Sequence, residues 1–195
     1  MTTQQLSEQE IIRREKRTEL EKLGINPYPP EAFPVTHTAA HIKSNFSEET
    51  KEAFSQVSFA GRIMSIRDMG KASFAVLQDH TGRIQIYVKR DDICPGEDKT
   101  LYNTVWKKLL DIGDIIGVKG FVFITKTGEI SIHVTAFTML SKSLKPLPVV
   151  KEAEGQSFDA VTDPEFRYRQ RYADLVINPQ LKDTFIKRTV MINTI

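Results

Sequence analysis

The stretch 61–92 alternates apolar and polar residues with a period of two and is punctuated by glycines, which predicts three β-strands joined by two turns. Successive side chains of a strand face opposite sides of its sheet. Ala75 is therefore predicted to face the core, and Phe74 to face outward. In the next strand Ile86 is predicted to face the core, which places Gln85 on the outer face. An aromatic ring and an amide are thus expected on one outer surface.

This outer surface suits a flat, polar ligand such as an unpaired nucleobase. A base offers a π-face to Phe74 and a hydrogen-bonding edge to Gln85. Arg83 and Tyr87 are predicted on the same face of the sheet. A plainer interpretation is that the exposed rings only cover a neighbouring helix.

The distribution of charge favours a polyanionic partner for this part of the chain. The 195 residues suffice for one well-buried domain with appendages, or for two small domains. The net charge is +2, but residues 55–145 hold thirteen basic and nine acidic side chains. The positive balance thus lies on the segment with the exposed aromatics.

Several classes of protein and site are not expected. The N-terminal residues form no apolar run or basic leader, and no window approaches the roughly 20 apolar residues of a membrane span, so we expect a cytoplasmic protein without a membrane partner. Cys94 is the only cysteine, which excludes an internal disulfide and a thiolate-rich metal site. No catalytic residues and no metal ligands are predicted, because the sequence has no phosphate-binding glycine loop and no Cys/His nucleophile pair.

Residues 1–54 are predicted to form a helical extension. Ser7 and Glu10 have the spacing of a capping box, and they precede a helix with a thin apolar stripe. Its basic residues either form a solvated face with i,i+4 ion pairs or contact phosphates. The possible phosphate contacts are Arg13, Arg14 and Arg17.

Residues 55–145 are predicted to form five strands, with a helix over 99–111 inserted after the third. The first strand spans 57–66, the fourth 114–125 and the fifth 129–140, and Val118, Val122 and Ile124 are expected on one face of the fourth. This order is typical of a five-stranded Greek-key barrel of the oligonucleotide and oligosaccharide binding (OB) class. The predicted fold is therefore mainly β with flanking helices.

The ligand face of such a barrel uses strands two and three and the loops that join strands one to two and four to five. Both loops are polar here, at 67–71 and 126–129. Phe74, Gln85 and Arg62 on the outer face coincide with these loops. The sequence therefore predicts a binding surface for single-stranded nucleic acid.

Residues 146–162 are predicted to be a linker, because they combine prolines with a Lys-Glu-Ala-Glu-Gly-Gln stretch. Helical patterns resume over 163–195, first from 165 to 175 and then to the last residue without a stop signal. We expect 163–195 to be the truncated start of a further domain.

Five stretches of the sequence carry a family resemblance, and they read GKASFAVLQD, GRIQIYV, KTGEISIHV, LKPLP and FRYRQRYADL. They resemble the lysine–tRNA ligases, which are class II aminoacyl-tRNA synthetases, over nearly the whole chain. KASF and RYRQRYADL are the specific parts, whereas LQD-x-x-G-x-I-Q fits the whole subgroup that includes the aspartate and asparagine enzymes. The resemblance implies that 163–195 begins a catalytic domain with an incomplete motif 1, the dimer-interface element.

Several properties follow from the resemblance alone. The full-length enzyme would be a homodimer that attaches lysine to lysine tRNA with ATP and magnesium. Residues 1–195 by themselves would hold no cofactor and would be inactive. Their barrel would read a uridine-rich anticodon, with Phe74 stacked under the central uridine and Gln85 bonded to the edge of that base. The other implied contacts are Arg62 and Arg67 at the bases, Glu129 at the third position and Lys71 at a backbone phosphate.

Two alternatives remain at this point. One is the anticodon-binding domain of an aspartate- or asparagine-type synthetase, against which the RYRQRYADL stretch argues. The other is a free-standing OB module for single-stranded nucleic acid or for a protein, against which the unfinished terminal helix argues.

Overall fold

The computed structural model describes four stretches of the chain, namely 6–148, 151–153, 156–158 and 164–195. The chain divides into two compact units, residues 1–146 and 147–195. Each unit is described by itself below.

The first unit contains a closed barrel of five strands. The strands are β1 (Val57–Asp68), β2 (Ala72–Gln78), β3 (Arg83–Lys89), β4 (Ile115–Ile124) and β5 (Ile130–Ser141). Their order around the barrel is β1-β2-β3-β5-β4. The pairing of β3 with β5 is parallel, whereas the other pairings are antiparallel. The predicted fold class, a five-stranded OB barrel with flanking helices, is confirmed.

The helices of this unit lie before the barrel and between β3 and β4. They are α1 (Glu8–Lys22), α2 (Ala39–Asn45), a 3-10 turn (Lys51–Phe54), α3 (Arg90–Ile93) and a π-helix (Leu101–Leu109).

Alternate residues of the strands fill the barrel, as their period of two predicts. Ala75 and Leu77 of β2 and Ile84 and Ile86 of β3 are buried, whereas their neighbours in sequence are only partly buried or exposed. In β4, Val118 and Val122 are buried as predicted. Ile124 follows Val122 in the same register with β5, as predicted for one face, but this last residue of β4 lies past the packed core and is 40% exposed.

A glycine is required where β4 passes closest to β5. A Cβ atom on Gly120 would lie 1.8 Å from the carbonyl oxygen of His133. The register of the two strands shifts between Lys119 and Gly120, which is the signature of a β-bulge. Any side chain at position 120 would therefore force the two backbones apart.

The helix predicted over 99–111 forms as a π-helix with wide turns. The N–H of Leu110 donates to the carbonyl of Val105, five residues earlier, over 3.1 Å. Tyr102 and Trp106 are buried in the core of the barrel. Such wide turns often mark functional sites.

The capping box predicted at the start of α1 is confirmed. The side chain of Ser7 accepts from the N–H of Glu10, and the Glu10 carboxylate accepts from the N–H of Ser7. At the other end of α1, Leu20 packs in a cluster with Val105 and Leu109 of the π-helix.

Arg13 of α1 joins the helix to the barrel. Its guanidinium is buried and donates to the carbonyls of Ser143 and Ile112, each over 3.0 Å. A phosphate would have to displace both carbonyls and enter the packed surface between α1 and the barrel. The phosphate contact predicted for Arg13 stays a prediction, and the contacts in the structure give this residue the role of an anchor for α1.

A buried ammonium group joins β5 to the turn before β4. Lys142 donates to the carbonyl of Leu109 over 2.7 Å, to Asp111 over 2.6 Å and to Asp114 over 2.8 Å. Burial raises the pKa of Asp114, although the bond from Lys142 opposes this. For Asp111, burial also favours the protonated acid, but hydrogen bonds from Lys142 and Lys16 outweigh it and lower the pKa.

The second unit is mainly helical. Its elements are β6 (Lys151–Ala153), β7 (Gln156–Phe158), α4 (Pro164–Arg169), α5 (Arg171–Ile177), a 3-10 turn (Pro179–Leu181) and α6 (Lys182–Thr194). The strands β6 and β7 pair with each other. Of the predicted linker, 146–162, residues 149–150, 154–155 and 159–162 lie outside those described.

The helix predicted over 165–175 is interrupted at Gln170 and forms two short helices. Asp174 is fully buried and accepts from Arg167 over 3.1 Å and from Arg171 over 2.5 Å. Neither unit contains, within its described residues, a helix that is long and apolar enough to cross a bilayer.

Candidate nucleic-acid interface

A cavity of about 660 Å³ lies on the outer face of the barrel, between the β1–β2 and β4–β5 loops. We call it the Phe74 cavity. The side chains that matter for its chemistry are Arg67, Met69, Phe74, Gln85, Tyr87, Phe123 and Lys126.

Phe74 and Gln85 form adjacent parts of the wall of this cavity. The outward orientation predicted for both is confirmed, since the neighbours of each in its strand are buried. The ring of Phe74 lies 5.0 Å from the ring of Tyr87 and is tilted by 45°. Gln85 donates from Nε2 to Oγ of Ser131 over 2.9 Å, which leaves its carbonyl oxygen and its second amide proton for a ligand.

The end of β1 and the β1–β2 loop place Arg67 and Met69 at the edge of the cavity. The carboxylate of Asp68 accepts from the ammonium of Lys107 over 2.8 Å and from the N–H of Gly70 over 2.9 Å. The bond from Lys107 lowers the pKa of Asp68 below its usual value. Gly70 has a φ of +86°, a conformation that favours glycine. The π-helix therefore fixes the loop through its lysine.

The β4–β5 loop forms the opposite edge of the cavity. The N–H of Thr125 donates to the carbonyl of Glu129 over 3.0 Å, and the N–H of Gly128 donates back to Thr125 over 2.9 Å. Gly128 has a φ of +85°, so this tight turn also uses a residue without a side chain. Lys126 and Thr127 line the cavity from the turn.

The structure brings together only part of the set of residues predicted from the sequence. Arg67, Phe74 and Gln85 line the Phe74 cavity. Lys71 is exposed beside it on the β1–β2 loop, without lining it.

Arg62 lies away from the Phe74 cavity. It pairs with Gln78 in the sheet, whereas Arg67 pairs with Phe74, so the two arginines are separated by about 16 Å along β1. The guanidinium of Arg62 donates to the carbonyl of Gly113 over 2.7 Å. Burial lowers the pKa of Arg62. The base contact predicted for Arg62 stays a prediction, and the structure shows its guanidinium bonded to the turn before β4.

Glu129 also does not line the cavity, and its carboxylate lies 3.5 Å from the ammonium of Lys43 in α2. Both side chains are about half exposed, so the pair is weakly held and exchangeable.

The two remaining arginines of α1 lie outside the lining of the cavity. Arg14 donates to the carbonyl of Glu10 over 3.1 Å, and Arg17 lies 3.5 Å from the carboxylate of Glu21. This second pair is of the i,i+4 type that a solvated helix face predicts.

Three residues of the site were not selected from the sequence, namely Phe123, Lys126 and Ser131. The signal for Phe123 was present, because the alternation around the buried Val122 places it on the outer face of β4. Ser131 gave no such signal. Its importance comes from its position beside Gln85 in the parallel pairing of β3 with β5.

The comparison with known proteins agrees with this geometry. A family profile described as an OB-fold nucleic acid binding domain, of the tRNA anticodon type, matches residues 57–140. The chain is 59% identical over 194 residues to a lysine–tRNA ligase of Porphyromonas gingivalis strain W83, covering 100% of this chain and 34% of the relative. Along its whole length the chain is similar to about a third of this lysine–tRNA ligase.

Two further lysine–tRNA ligases show the same extent of similarity. The one from Azobacteroides pseudotrichonymphae is 55% identical over 190 residues, with 97% of this chain and 38% of the relative covered. The one from Christiangramia forsetii is 58% identical over 191 residues, with coverages of 97% and 33%. The chain thus spans about a third of the length of the lysine–tRNA ligases it matches. The resemblance to these enzymes read from the sequence is confirmed.

Proposed function

We propose that this chain is the tRNA-recognising part of a lysine–tRNA ligase and that its barrel reads the anticodon of lysine tRNA. The observation that carries the proposal is the placement of Phe74 and Gln85 side by side in one cavity, between Arg67 at the end of β1 and Lys126 of the β4–β5 loop. The activity of the whole enzyme belongs to the same proposal. The whole enzyme would attach lysine to the tRNA with ATP and magnesium, as a homodimer in the cytoplasm. We assign this chemistry to the other two thirds of such a ligase.

The spacing of the ring and the amide supports a single stacked base. Phe74 pairs with Tyr87 across β2 and β3, and Gln85 lies two residues from Tyr87. Side chains in such diagonal positions are about 7–8 Å apart, which is the span of one pyrimidine and the hydrogen bond to its edge. A base stacked on Phe74 therefore presents its edge to Gln85.

The chemistry of the Gln85 amide supports a uridine at this position. Its carbonyl oxygen accepts from the N3–H of uracil, and its remaining N–H donates to the O4 oxygen. A base in a duplex has both groups occupied by its partner, so this site requires an unpaired loop.

Cations on both sides of the stacked base support a phosphate backbone that crosses the cavity. Arg67 lies at the β1–β2 side of the cavity and Lys126 at the β4–β5 side. The exposed Lys71 adds a further cation on the side of Arg67. Such contacts add affinity without sequence preference and weaken as salt is raised.

The similarity along the chain supports this proposal over the two alternatives. The three relatives described above are all named lysine–tRNA ligases, which favours lysine over an aspartate or asparagine type. A free-standing OB module would match over the barrel alone, whereas residues outside the barrel match here as well.

A binding experiment with two RNA hairpins tests the proposal. The chain is titrated with a hairpin whose loop carries UUU and with one whose middle uridine is replaced by guanosine, each at two salt concentrations. We expect tighter binding of the UUU hairpin at both concentrations, and weaker binding of both hairpins at the higher one. Equal affinity for the two hairpins under both conditions would overturn the proposal.

A further inference from the structure

A band of rings continues from Phe74 around the outside of the barrel. Tyr87 contacts Phe74 on one side and, on the other, His133 at 5.2 Å and Phe123 at 6.1 Å, both edge-on. Phe121 stacks on His133 at 4.7 Å with an angle of 19°. The band therefore joins side chains of β2, β3, β5 and β4, although only its first ring has a role in the proposed function.

Phe123 and Phe121 differ in what their rings face. Phe123 lines the Phe74 cavity beside Lys126, whereas Phe121 lines a separate cavity of about 480 Å³ further along β4, towards Lys119. The stacking of Phe121 on His133 also covers one face of its ring. Only Phe123 is therefore placed to contact a ligand that already contacts Phe74.

The Phe74 cavity is larger than one stacked base requires. Its volume of about 660 Å³ falls within the range of roughly 300–1,000 Å³ that holds ligands of the size of a drug or a dinucleotide. Phe74 stands on the β2 side of this space and Phe123 on the β4 side, with Tyr87 in contact with both. One base on Phe74 leaves the ring of Phe123 for a second.

The ring of Phe123 is held in place before any ligand binds. His133 contacts it edge-on at 5.8 Å and an angle of 61°. The imidazole of His133 is itself fixed by Asp92, since its Nε2 lies 2.6 Å from a carboxylate oxygen of that residue. An aromatic side chain that is already oriented loses little conformational entropy when a base stacks on it.

We propose that Phe123 stacks a second unpaired nucleobase, the neighbour along the RNA strand of the base on Phe74, and that Lys126 contacts the phosphate between them. This inference rests on the proposed function and extends it from one stacked base to two. Stacking on an aromatic ring accepts any base, so the second position adds affinity and orientation and does not select a particular base.

Variants of the two phenylalanines of β4 form a matched pair for the test. We expect Phe123→Ala to weaken binding of the UUU hairpin by roughly 5- to 150-fold, the effect of losing one stacked base. Phe123→Leu keeps the apolar volume without the π-face and should weaken binding in the same direction. Phe121→Ala should change the affinity by less than about twofold. Thermal unfolding of each variant verifies that the barrel remains folded.

Hairpins with a single abasic site then locate the second base. Each loop nucleotide in turn is made abasic, and its effect is measured with the parent chain, Phe74→Ala and Phe123→Leu. In the parent chain, removing either stacked base should weaken binding. In Phe74→Ala, removing the base that stacks on Phe74 should no longer weaken binding. In Phe123→Leu, removing the neighbouring base should have almost no effect. Such coupling belongs to a direct contact and would not arise from a general loss of packing.

The outcomes separate this inference from the proposed function. If Phe74→Ala weakens binding and Phe123→Leu does not, the second stacking site is overturned and the proposed function stands. An equal loss with Phe121→Ala and Phe123→Ala would also overturn it, because ring packing in general would then be responsible. If neither Phe74→Ala nor Phe123→Ala changes affinity, both proposals fail.

Discussion

The amide of Gln85 is held by a fully buried partner, Ser131, across the one parallel pairing of the barrel. The two residues are opposite each other in the register of β3 and β5, and Nε2 of Gln85 donates to Oγ of Ser131 over 2.9 Å. The group that would read the edge of a base is therefore oriented by the contact that closes the barrel.

Ser131→Ala should reduce the preference of the Phe74 cavity for the UUU hairpin over one with a changed middle base, without unfolding the barrel. Losing a neutral hydrogen bond costs about 0.5–1.5 kcal/mol, so we expect a loss of roughly 2- to 10-fold in affinity for the UUU hairpin. The freed amide of Gln85 should also narrow the difference between this hairpin and one with a changed middle base. Thr135→Ala, at an exposed position of the same strand, serves as the control. Unchanged discrimination in Ser131→Ala would show that the hydrogen bond does not orient Gln85.

Phe74→Ala should weaken binding of the UUU hairpin by about 1–3 kcal/mol, because it removes the face on which the base stacks. Titration of the hairpin at constant salt measures this loss. The salt dependence should be unchanged, since the variant alters no charge. Equal affinity of variant and parent would count against the stacking role.

Lys71→Ala should lower affinity for matched and altered hairpins alike. An exposed lysine beside the cavity attracts phosphate, and removing one such contact reduces the salt slope by about 1. Titrations over a series of salt concentrations give this slope. A loss confined to the UUU hairpin would instead point to contact with a base.

Arg13→Ala and Arg17→Ala should differ in their effect on stability, although both arginines lie in one helix. Arg13 is buried and bonded to two carbonyls, so its loss should lower the free energy of unfolding by about 1–3 kcal/mol. Arg17 has only a surface pair with Glu21, so its loss should cost less than about 0.5 kcal/mol. Urea unfolding measures both values. A neutral effect of Arg13→Ala on stability would contradict the role of anchor.

Lys142→Met should destabilise the barrel, and the loss should depend on pH. Removing one partner of a buried pair typically costs about 3–5 kcal/mol, here because Asp114 would stay charged without its ammonium partner. Burial already raises the pKa of Asp114 in the folded state, and the loss of Lys142 raises it further. The destabilisation of Lys142→Met is therefore largest above the pKa of Asp114 in the folded state. It declines as the pH falls from this pKa towards the lower pKa of Asp114 in the unfolded state. Unfolding measured from pH 7 down to pH 4 should show this recovery.

The exposed Lys145→Met is the control for this series and should change stability by less than about 0.5 kcal/mol at every pH. A destabilisation of Lys142→Met that stays constant with pH would argue against a charged Asp114 as its cause.

Much of the barrel and the centre of the site could be predicted, because both depend on local alternation. A strand has a period of two, so once Ala75 and Ile86 are assigned to the core, Phe74 and Gln85 must face outward. The same rule places Arg62 outside, but it does not determine where a long side chain ends. The carbonyl of Gly113, 51 residues further along the chain, decides that.

The role of Arg13 and the π geometry of the helix after β3 were beyond sequence reasoning for the same physical reason. Arg13 lies in a run of charged residues that is typical of a solvated helix face, but its two carbonyl partners are 99 and 130 residues away. The wide turns of the π-helix depend on how Tyr102 and Trp106 enter the core. Contacts of this kind are set by the assembled fold.

The crowding at Gly120 has a consequence for the alignment of β4 during folding. If β4 slipped by one residue against β5, the benzyl group of Phe121 or the butylammonium chain of Lys119 would have to enter a gap that cannot hold even a methyl group. Pairings of β4 with β5 that are shifted in register are therefore sterically unfavourable. A residue without a side chain thus guarantees that Phe123 emerges on the face that carries Phe74, and not in the apolar interior.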